Sequence, residues 1–127
     1  MRVEYGKESC IPLYFQSVDK LIIDIDGNSI SHTFPKALAT GSAVLKISVF
    51  LEIGMVLAKP WTHFIPVKMD LSDLEEKINW ARNNDKELEK IGNRGKELSE
   101  KKLTLESYKC YTVRLLRKYK SLFVSEE

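Results

Sequence analysis

Two carboxylates, Asp24 and Asp26, stand two residues apart in a short apolar run that ends at Gly27. Side chains two apart on a strand project from the same face. A pair of carboxylates so placed can bind a divalent cation, which in turn can hold a diphosphate. Asp26-Gly27-Asn28 is also a strong turn signal that explains Asp26 without a metal. The pattern leaves a metal site and a plain turn both open.

The residues after this pair form a second candidate, an anion-binding bend. Gly27 to Ser31 join the apolar run to a predicted helix, and small residues there let a ligand approach the amides of the helix start. This is the position of the phosphate loop in Rossmann folds, although the full Gly-x-Gly-x-x-Gly fingerprint is absent. A plain turn explains the same residues. His32 and His63 could be ligands or bases, but no His, Cys and carboxylate spacing in the chain fits a zinc site.

Other familiar chemistry is not supported by the sequence. Gly92 to Lys96 are not a phosphate-binding P-loop, because the glycines are too close and Glu97 stands where Ser or Thr is required. No Gly-x-Ser-x-Gly nucleophile motif occurs. The two cysteines, Cys10 and Cys110, could form one bridge or remain free thiols, and the sequence does not decide between them.

The elements that must position these residues alternate between strand and helix. The β-branched run Lys20–Asp26 predicts a strand covered on both faces. The following predicted elements are a helix over Ser29–Ala39 with Ser29 or Ser31 as its N-cap and Pro35 in its first turn, a strand over Ser42–Ile47, a helical stretch over Val49–Ala58 and a strand over Phe64–Val67. Alternation of this kind predicts an α/β fold with a short, mostly parallel sheet.

From Asp70 onward the apolar period becomes helical. Ser72 and Glu75 predict a capping box, and the polar residues 83–85 predict a break before a second helix that Gly95 ends. Thr104 is the predicted cap of a last helix. Its tyrosines, Tyr108, Tyr111 and Tyr119, follow the apolar stripe and are predicted core residues.

Composition narrows the class of protein. The chain has 127 residues and a net charge of +2, so it is one domain, or part of one, without the basic footprint of a nucleic-acid binder. No apolar run approaches the roughly 20 residues of a membrane span. The first ten residues carry acids where a signal peptide needs an apolar core, so no secretory address is expected in the chain itself.

Taken together, the motifs make the chain resemble glycosyltransferase family 90, the Rumi-like protein O-glucosyltransferases and capsule-associated transferases. The block Pro-Trp-x-His-x-x-Pro-Val-Lys is specific. The segments that carry the resemblance are Asp24-Ile-Asp-Gly-Asn28, Ser31-His-Thr-Phe34, Gly41-Ser-Ala-Val-Leu-Lys46, Lys59-Pro-Trp-Thr-His-Phe-Ile-Pro-Val-Lys68, Asp70-Leu-Ser-Asp-Leu74, Trp80-Ala81 with Asn84-Asp85, Ile91 with Gly95, and Cys110-Tyr111 with Leu115-Leu116 and Tyr119.

The resemblance implies the C-terminal half of a GT-B glycosyltransferase domain, one Rossmann-like half with a C-terminal helical segment. It covers residues 20–122, leaving a poorly matched segment 1–19 and a tail 123–127. The family transfers glucose or xylose from a UDP-sugar to Ser or Thr, or builds capsule polysaccharide, with neither metal nor other cofactor. Its catalytic aspartate lies upstream of the matched region, so no residue here is expected to be catalytic and the isolated chain is expected to be inactive.

The resemblance also implies a donor site and partners. The expected UDP-sugar contacts are Gly27, Asn28, Ser29, Ile30, Ser31, His32 and Thr33. The expected partners are the UDP-sugar, an acceptor protein or glycan, and the missing N-terminal catalytic half, in the lumen of the endoplasmic reticulum or Golgi. No nucleic acid, membrane span or metal is expected.

Two departures from the family pattern favour other functions. The family usually carries arginine at the position of Thr33, and a threonine offers a diphosphate no charge. The segment Glu52-Ile-Gly-Met55 lacks the aromatic residues usual there. A non-catalytic remnant that acts as a binding domain is therefore the alternative to a transferase fragment, and an unrelated α/β binding domain is the third.

Overall fold

A computed structural model describes residues 19–29 and 31–123, which fold around a three-stranded parallel sheet. The strands are β1 (Leu21–Ile25), β2 (Ala43–Ile47) and β3 (Ile65–Pro66), in the order β1-β2-β3. Each neighbouring pair is parallel, with Asp24 opposite Lys46 in the β1–β2 register. The predicted α/β class with a short parallel sheet is confirmed, and the architecture is consistent with a Rossmann-like half.

Five helices accompany the sheet in the part of the chain that the structure describes. They are α1 (Phe34–Ala39), α2 (Ile53–Leu57), α3 (Leu74–Asn83), α4 (Asp85–Lys102) and α5 (Leu105–Ser121). Among these described helices, none combines the length and apolarity needed to cross a bilayer. The predicted break between the third and fourth helices is confirmed, since Asn84 separates them.

The core lies on both faces of β2. One face packs with residues of α3 and α4, and its buried members are Ala43, Leu45, Ile47, Ile65, Val67, Ala81, Leu88 and Ile91. The other packs with α1 and has the buried members Ile22, Phe34, Ala37, Leu38, Val44, Ala58 and Phe64. All five residues of β2 are buried.

The prediction that the first strand is covered on both faces is wrong. Ile23 and Ile25 of β1 are 51% and 53% exposed. Within the described residues β1 is the edge of the sheet, and the helical layer that buries Leu45 and Ile47 touches β1 only at Leu21. An apolar run is therefore not sufficient evidence of a central strand, because it does not show how far the covering helices reach.

Helix α1 begins at Phe34, late within the predicted stretch Ser29–Ala39, as Pro35 in its first turn indicates. It has six residues, with Pro35 in the first turn as predicted and Thr33 at the N-cap without a side-chain capping bond. The hydroxyls of Ser31 and Thr33 both contact Asp24 instead. The long-range bonds to β1 thus replace the local capping bonds that the sequence predicted.

The predicted capping box at Ser72 and Glu75 is also wrong. Helix α3 has Asp73 at its N-cap, and no side chain caps it. The Asp73 carboxylate accepts a hydrogen bond from the Lys68 amide at 2.9 Å, so it ties the preceding loop back toward β3. Two other predicted elements exist but are shorter, α2 within Val49–Ala58 and β3 within Phe64–Val67.

Helix α4 continues past Gly95, which was predicted to end it. A Cβ added to Gly92 would lie 2.2 Å from the Gly41 carbonyl oxygen, and one added to Gly95 would lie 2.8 Å from the His63 carbonyl oxygen. Both glycines are therefore sites of close approach between the helix and the backbone of neighbouring loops. The helix crosses those loops and contributes buried residues to one core and Leu98 to the other.

The loop before β3 is held by a histidine in its neutral form. The Lys59 amide donates a hydrogen bond of 2.9 Å to His63 Nδ1, so that nitrogen accepts and the proton of the neutral ring lies on Nε2. The pKa of His63 is lowered, chiefly by burial. His63 is thus a structural residue of this turn.

This arrangement predicts an acid-sensitive loop. A histidine whose pKa is lowered by folding keeps its full contribution to stability above its unfolded pKa of about 6.5, and loses it as the pH falls through the folded value. We expect the thermal unfolding midpoint to fall between pH 8 and pH 5 by less in His63→Gln than in the wild type. Parallel pH profiles for the two proteins would contradict the assignment.

The last helix departs most from prediction. Thr104 caps α5 as predicted, since its hydroxyl accepts a hydrogen bond from the Ser107 amide at 3.2 Å. The tyrosines were predicted to be core, and this is wrong: no residue of α5 is buried, and Tyr111 and Tyr119 are more than half exposed. The stripe is helical as predicted, but of its three tyrosines only Tyr108 is half-buried among the described residues.

Candidate functional site

The candidate site lies where the three strands end. Because the strands are parallel, the loops that follow them emerge at one edge of the sheet, the usual ligand position in open α/β folds. We call the polar group at this edge the carboxyl-edge cluster. It comprises Asp24, Asp26, Ser31, Thr33, Lys46, Ser48 and Glu52.

Lys46 is the centre of the cluster. Its side chain is wholly buried on β2, and its Nζ lies 2.7 Å from Asp24 Oδ2 and 3.1 Å from Asp26 Oδ1. The Phe34 ring centroid lies 5.3 Å from the same nitrogen. Burial alone would lower the pKa of Lys46, but the hydrogen bonds and charges of the two aspartates outweigh it and raise that pKa. Lys46 is therefore a charged ammonium inside the domain.

Asp26 ties two loops to this lysine. It accepts hydrogen bonds from the Ser48 hydroxyl and, at 3.2 Å, from the Val49 amide. Burial raises the pKa of Asp26, yet the bonds from Ser48 and Lys46 more than offset it, so the net effect is a lowered pKa. The carboxylate is thus held in its charged form.

Glu52 also belongs to the cluster, but its contact with Lys46 is weaker than the contacts of the two aspartates. Its Oε1 lies 3.6 Å from Lys46 Nζ, which is close enough for an ion pair but too long for a hydrogen bond. That oxygen is buried without a hydrogen-bond partner among the described residues. Burial raises the pKa of Glu52, against the opposing effect of Lys46.

The predicted donor-binding bend is fastened to the same cluster. Ser31 Oγ donates to Asp24 Oδ1 at 2.7 Å, the Thr33 hydroxyl also donates to Asp24, and the Ser31 amide reaches Asp26 Oδ1 at 3.3 Å. Both hydroxyls are therefore bonded to Asp24, although Thr33 itself is exposed. Of the other predicted contacts, Gly27, Asn28, Ser29 and His32 are exposed, and Ile30 lies outside the described residues.

Lys46 occupies the position that a metal would take if Asp24 and Asp26 formed a cation site. Its ammonium lies between the two carboxylates and makes the contacts that a bridging cation would make. The sequence pattern indicated the aspartates but not the lysine as their partner. A signal was present, since Asp24 and Lys46 are charges of opposite sign in two successive apolar strands predicted to lie in one sheet.

Comparisons with known proteins show the family of this chain. The sequence model described as Glycosyl transferase family 90 matches residues 6–126. The chain is 38% identical to protein O-glucosyltransferase 2 of Danio rerio over 108 residues, 84% of this chain and 22% of that protein. It is 34% identical to protein O-glucosyltransferase 3 of Mus musculus over 117 residues, 91% of this chain and 23% of that protein.

A viral relative is more similar over a shorter stretch. Uncharacterized protein 027R of Frog virus 3 (isolate Goorha) is 63% identical over 87 residues, 63% of this chain and 9% of that protein. The chain belongs to glycosyltransferase family 90, as the motifs indicated. It spans less than a quarter of the length of these relatives.

Proposed function

We propose that this chain is the donor-binding part of a UDP-sugar-dependent glycosyltransferase, the C-terminal half of the catalytic domain. The reaction is transfer of glucose or xylose to a hydroxyl, with UDP as the leaving group. An aspartate of the missing N-terminal half acts as general base on the acceptor. The observation that carries the proposal is the exposed Gly27–Ser29 bend at the carboxyl edge of a parallel sheet, fixed from beneath by buried ion pairs.

In this proposal the diphosphate binds at the backbone of the bend and does not contact the buried Lys46. Lys46 is inaccessible and already satisfied by carboxylates, which outnumber it. Pro35 removes one amide from the first turn of α1. The groups left to face the donor are the amides and side chains of Gly27, Asn28 and Ser29, together with the exposed His32.

We propose further that donor binding needs neither a divalent cation nor another cofactor. The position between Asp24 and Asp26 is filled by Lys46 Nζ, and the clustered hydroxyls of Ser31 and Thr33 satisfy Asp24. In the described residues no group of three or more His, Cys, Asp or Glu side chains is placed to hold a metal.

The names of the relatives suggest which acceptor the enzyme uses. Protein O-glucosyltransferases act, by their name, on proteins, so the proposed acceptor is a Ser or Thr hydroxyl of a protein, or a glycan in the capsule-type branch. The proposed compartment is the lumen of the endoplasmic reticulum or Golgi. Alone, without the catalytic half, the chain should bind donor but not turn it over.

Titration of UDP and UDP-glucose into the purified chain tests the donor site directly. We expect amide resonances of residues 27–34 to shift selectively, with a Kd tighter than about 1 mM. Mg²⁺ should leave that Kd unchanged. Shifts spread evenly over the domain, or none at these residues, would contradict the proposed site.

Restoring the family arginine should strengthen binding. Thr33→Arg places a permanent charge beside the bend, and a charged phosphate contact contributes about 1.5–3 kcal/mol. We expect UDP to bind about 10-fold to 100-fold more tightly, measured by calorimetry. Asn93→Arg, on the exposed face of α4, adds the same charge elsewhere and should leave the affinity nearly unchanged. Equal gains in both variants would indicate a general charge effect.

The alternative function is a non-catalytic remnant that acts as an interaction domain. The observation that favours it is Thr33 itself, because its hydroxyl bonds to Asp24 and the residue offers a diphosphate no charge. Carboxylates in excess of lysine at this edge also oppose an anionic ligand. A Kd for UDP of about 1 mM or weaker would favour the remnant.

A further inference from the structure

Trp61, in the turn before β3, is an exposed tryptophan in a strained backbone conformation. Its φ is +60°, in the left-handed region that bulky residues rarely adopt. The turn holds it there, because the Trp61 amide donates a hydrogen bond of 2.7 Å to the Phe64 carbonyl oxygen. The indole is 41% exposed and belongs to neither face of the core. Strained residues of this kind concentrate at sites that bind ligands.

Helix α3 holds this indole from one side. The rings of Trp61 and Trp80 form a T-shaped pair, with centroids 5.1 Å apart and planes at 79°. Lys77 Nζ lies 5.1 Å from the Trp61 ring centroid. Lys77 and Trp80 are three residues apart and so are neighbours on the helix surface, which places both contacts on the α3 side of the indole. We call Trp61, Trp80 and Lys77 the aromatic platform; its exposed ring surface faces away from α3 and is fixed in advance of any ligand.

The exposed area of the platform suits one sugar ring. A tryptophan side chain has about 250 Å² of accessible surface, so 41% exposure leaves about 100 Å². A stable protein partner needs about 800 Å² on each side, which is far more. A pyranose ring presents a small flat face of C–H bonds with hydroxyls around its edge. Such C–H groups are attracted to the electron-rich face of an indole.

The charges beside the platform favour a neutral ligand. Lys77 Nζ lies 3.8 Å from Asp73 Oδ2 and 3.5 Å from Glu76 Oε1, so one ammonium stands against two carboxylates. A net charge of this sign disfavours phosphate and lipid headgroups that are anionic. The Glu76 side chain is 76% exposed, and its carboxylate can accept hydrogen bonds from hydroxyls.

The platform lies away from the donor bend. Trp61 precedes β3 and Gly27 follows β1, so in a parallel sheet they lie at opposite edges. We propose that the aromatic platform is a second sugar site, which stacks a glucose or xylose ring of a glycan. In the β-pyranose form both sugars carry every ring hydroxyl equatorially, which leaves C–H bonds free on both faces. The proposal rests on the proposed function only in the choice of these two sugars.

A titration of the 127-residue chain followed by NMR tests the platform. The probes are cellotetraose and xylotetraose, β-linked tetramers of glucose and xylose, and sorbitol is the control because it carries hydroxyls on an open chain without a ring face. We expect either tetramer to shift the indole N–H of Trp61 and the amides of residues 61–63, with a Kd of about 1–10 mM. Sorbitol should leave these signals in place.

Variants separate stacking from a general effect on the fold. Trp61→Ala should weaken tetramer binding about 10-fold, whereas Trp61→Phe keeps a ring and should weaken it less than about threefold. Tyr111→Ala, which removes an exposed aromatic ring from α5, is the matched control and should not change the affinity. If Trp61→Ala does not fold, the wild-type shifts and Trp61→Phe still decide.

Several outcomes would overturn the second sugar site. One is no shift at residues 61–63 up to about 50 mM tetramer; others are equal shifts with sorbitol, or shifts confined to residues 27–34. Broadening of the Trp61 signal that grows with protein concentration would show a second copy as the occupant, and broadening on adding phosphatidylcholine vesicles would show a membrane. Loss of UDP binding with tetramer binding intact would refute the donor site alone, and the reverse would refute the platform alone.

Discussion

Replacing Lys46 with methionine is expected to lower the free energy of unfolding by about 3–5 kcal/mol at neutral pH, the usual cost of breaking a buried pair from one side. The variant keeps the packing volume against Phe34 but removes the only cation within ion-pair distance of Asp24 and Asp26 among the described residues. Two buried carboxylates are then left uncompensated. Urea unfolding at pH 7 measures the loss.

Lys20→Met is the matched control. It breaks the ion pair with Asp85, 2.6 Å long but with side chains 73% and 64% exposed. Exposed pairs contribute about 0–1 kcal/mol, so we expect little change. If the two lysine variants lost similar stability, the carboxyl-edge cluster would not be a buried electrostatic unit.

The deficit of Lys46→Met should shrink in acid. In the wild type, Asp26 has a lowered pKa, so its contribution is complete above the unfolded pKa near 4 and is lost as the pH falls through the folded value. In the variant, protonation of Asp26 breaks no ion pair with Lys46. A fall in pH therefore costs the variant less stability than it costs the wild type. We expect the gap between wild type and variant to stay nearly constant from pH 7 to about pH 5 and to narrow below about pH 4. A gap that stayed constant down to about pH 2 would contradict this cause.

Gly92→Ala is expected to destabilise the protein by about 3 kcal/mol or to prevent folding. Alanine normally stabilises a helix interior by about 1 kcal/mol over glycine. Here the added Cβ would lie 2.2 Å from the Gly41 carbonyl oxygen and 3.1 Å from the Ala43 amide nitrogen. These are backbone atoms at the start of β2, so the helix must move away from the sheet.

Asn93→Ala, one residue further along α4, is the control. Asn93 is exposed, so alanine at this position raises the helix propensity without causing a clash. We expect its unfolding midpoint in urea to stay level or rise slightly. Gly92→Ala matching this control would show that α4 does not pack closely against the Gly41 turn.

The sequence predicted the arrangement of the sheet because local signals agreed. The apolar run of β1, the turn at Asp26-Gly27, the late start of α1 at Pro35 and the cap at Thr104 each depend on neighbouring residues. Where local signals competed with distant partners, prediction failed. Ser31 was available as a cap but bonds Asp24, and Gly95 was available as a helix end but accommodates the His63 carbonyl.

By itself the sequence determined the family and the α/β class, because motif spacing and apolar periodicity are properties of short stretches of chain. The edge of the sheet where a ligand would bind stays a prediction. Only the tertiary structure decided that Lys46 neutralises Asp24 and Asp26, that the Thr33 hydroxyl bonds to Asp24 and that most of the apolar stripe of α5 stays exposed. The first two depend on the parallel register of β1 and β2, which brings together Asp24 and Lys46, 22 residues apart in the chain. The third depends on which surfaces remain after the core has closed, and no local pattern encodes that.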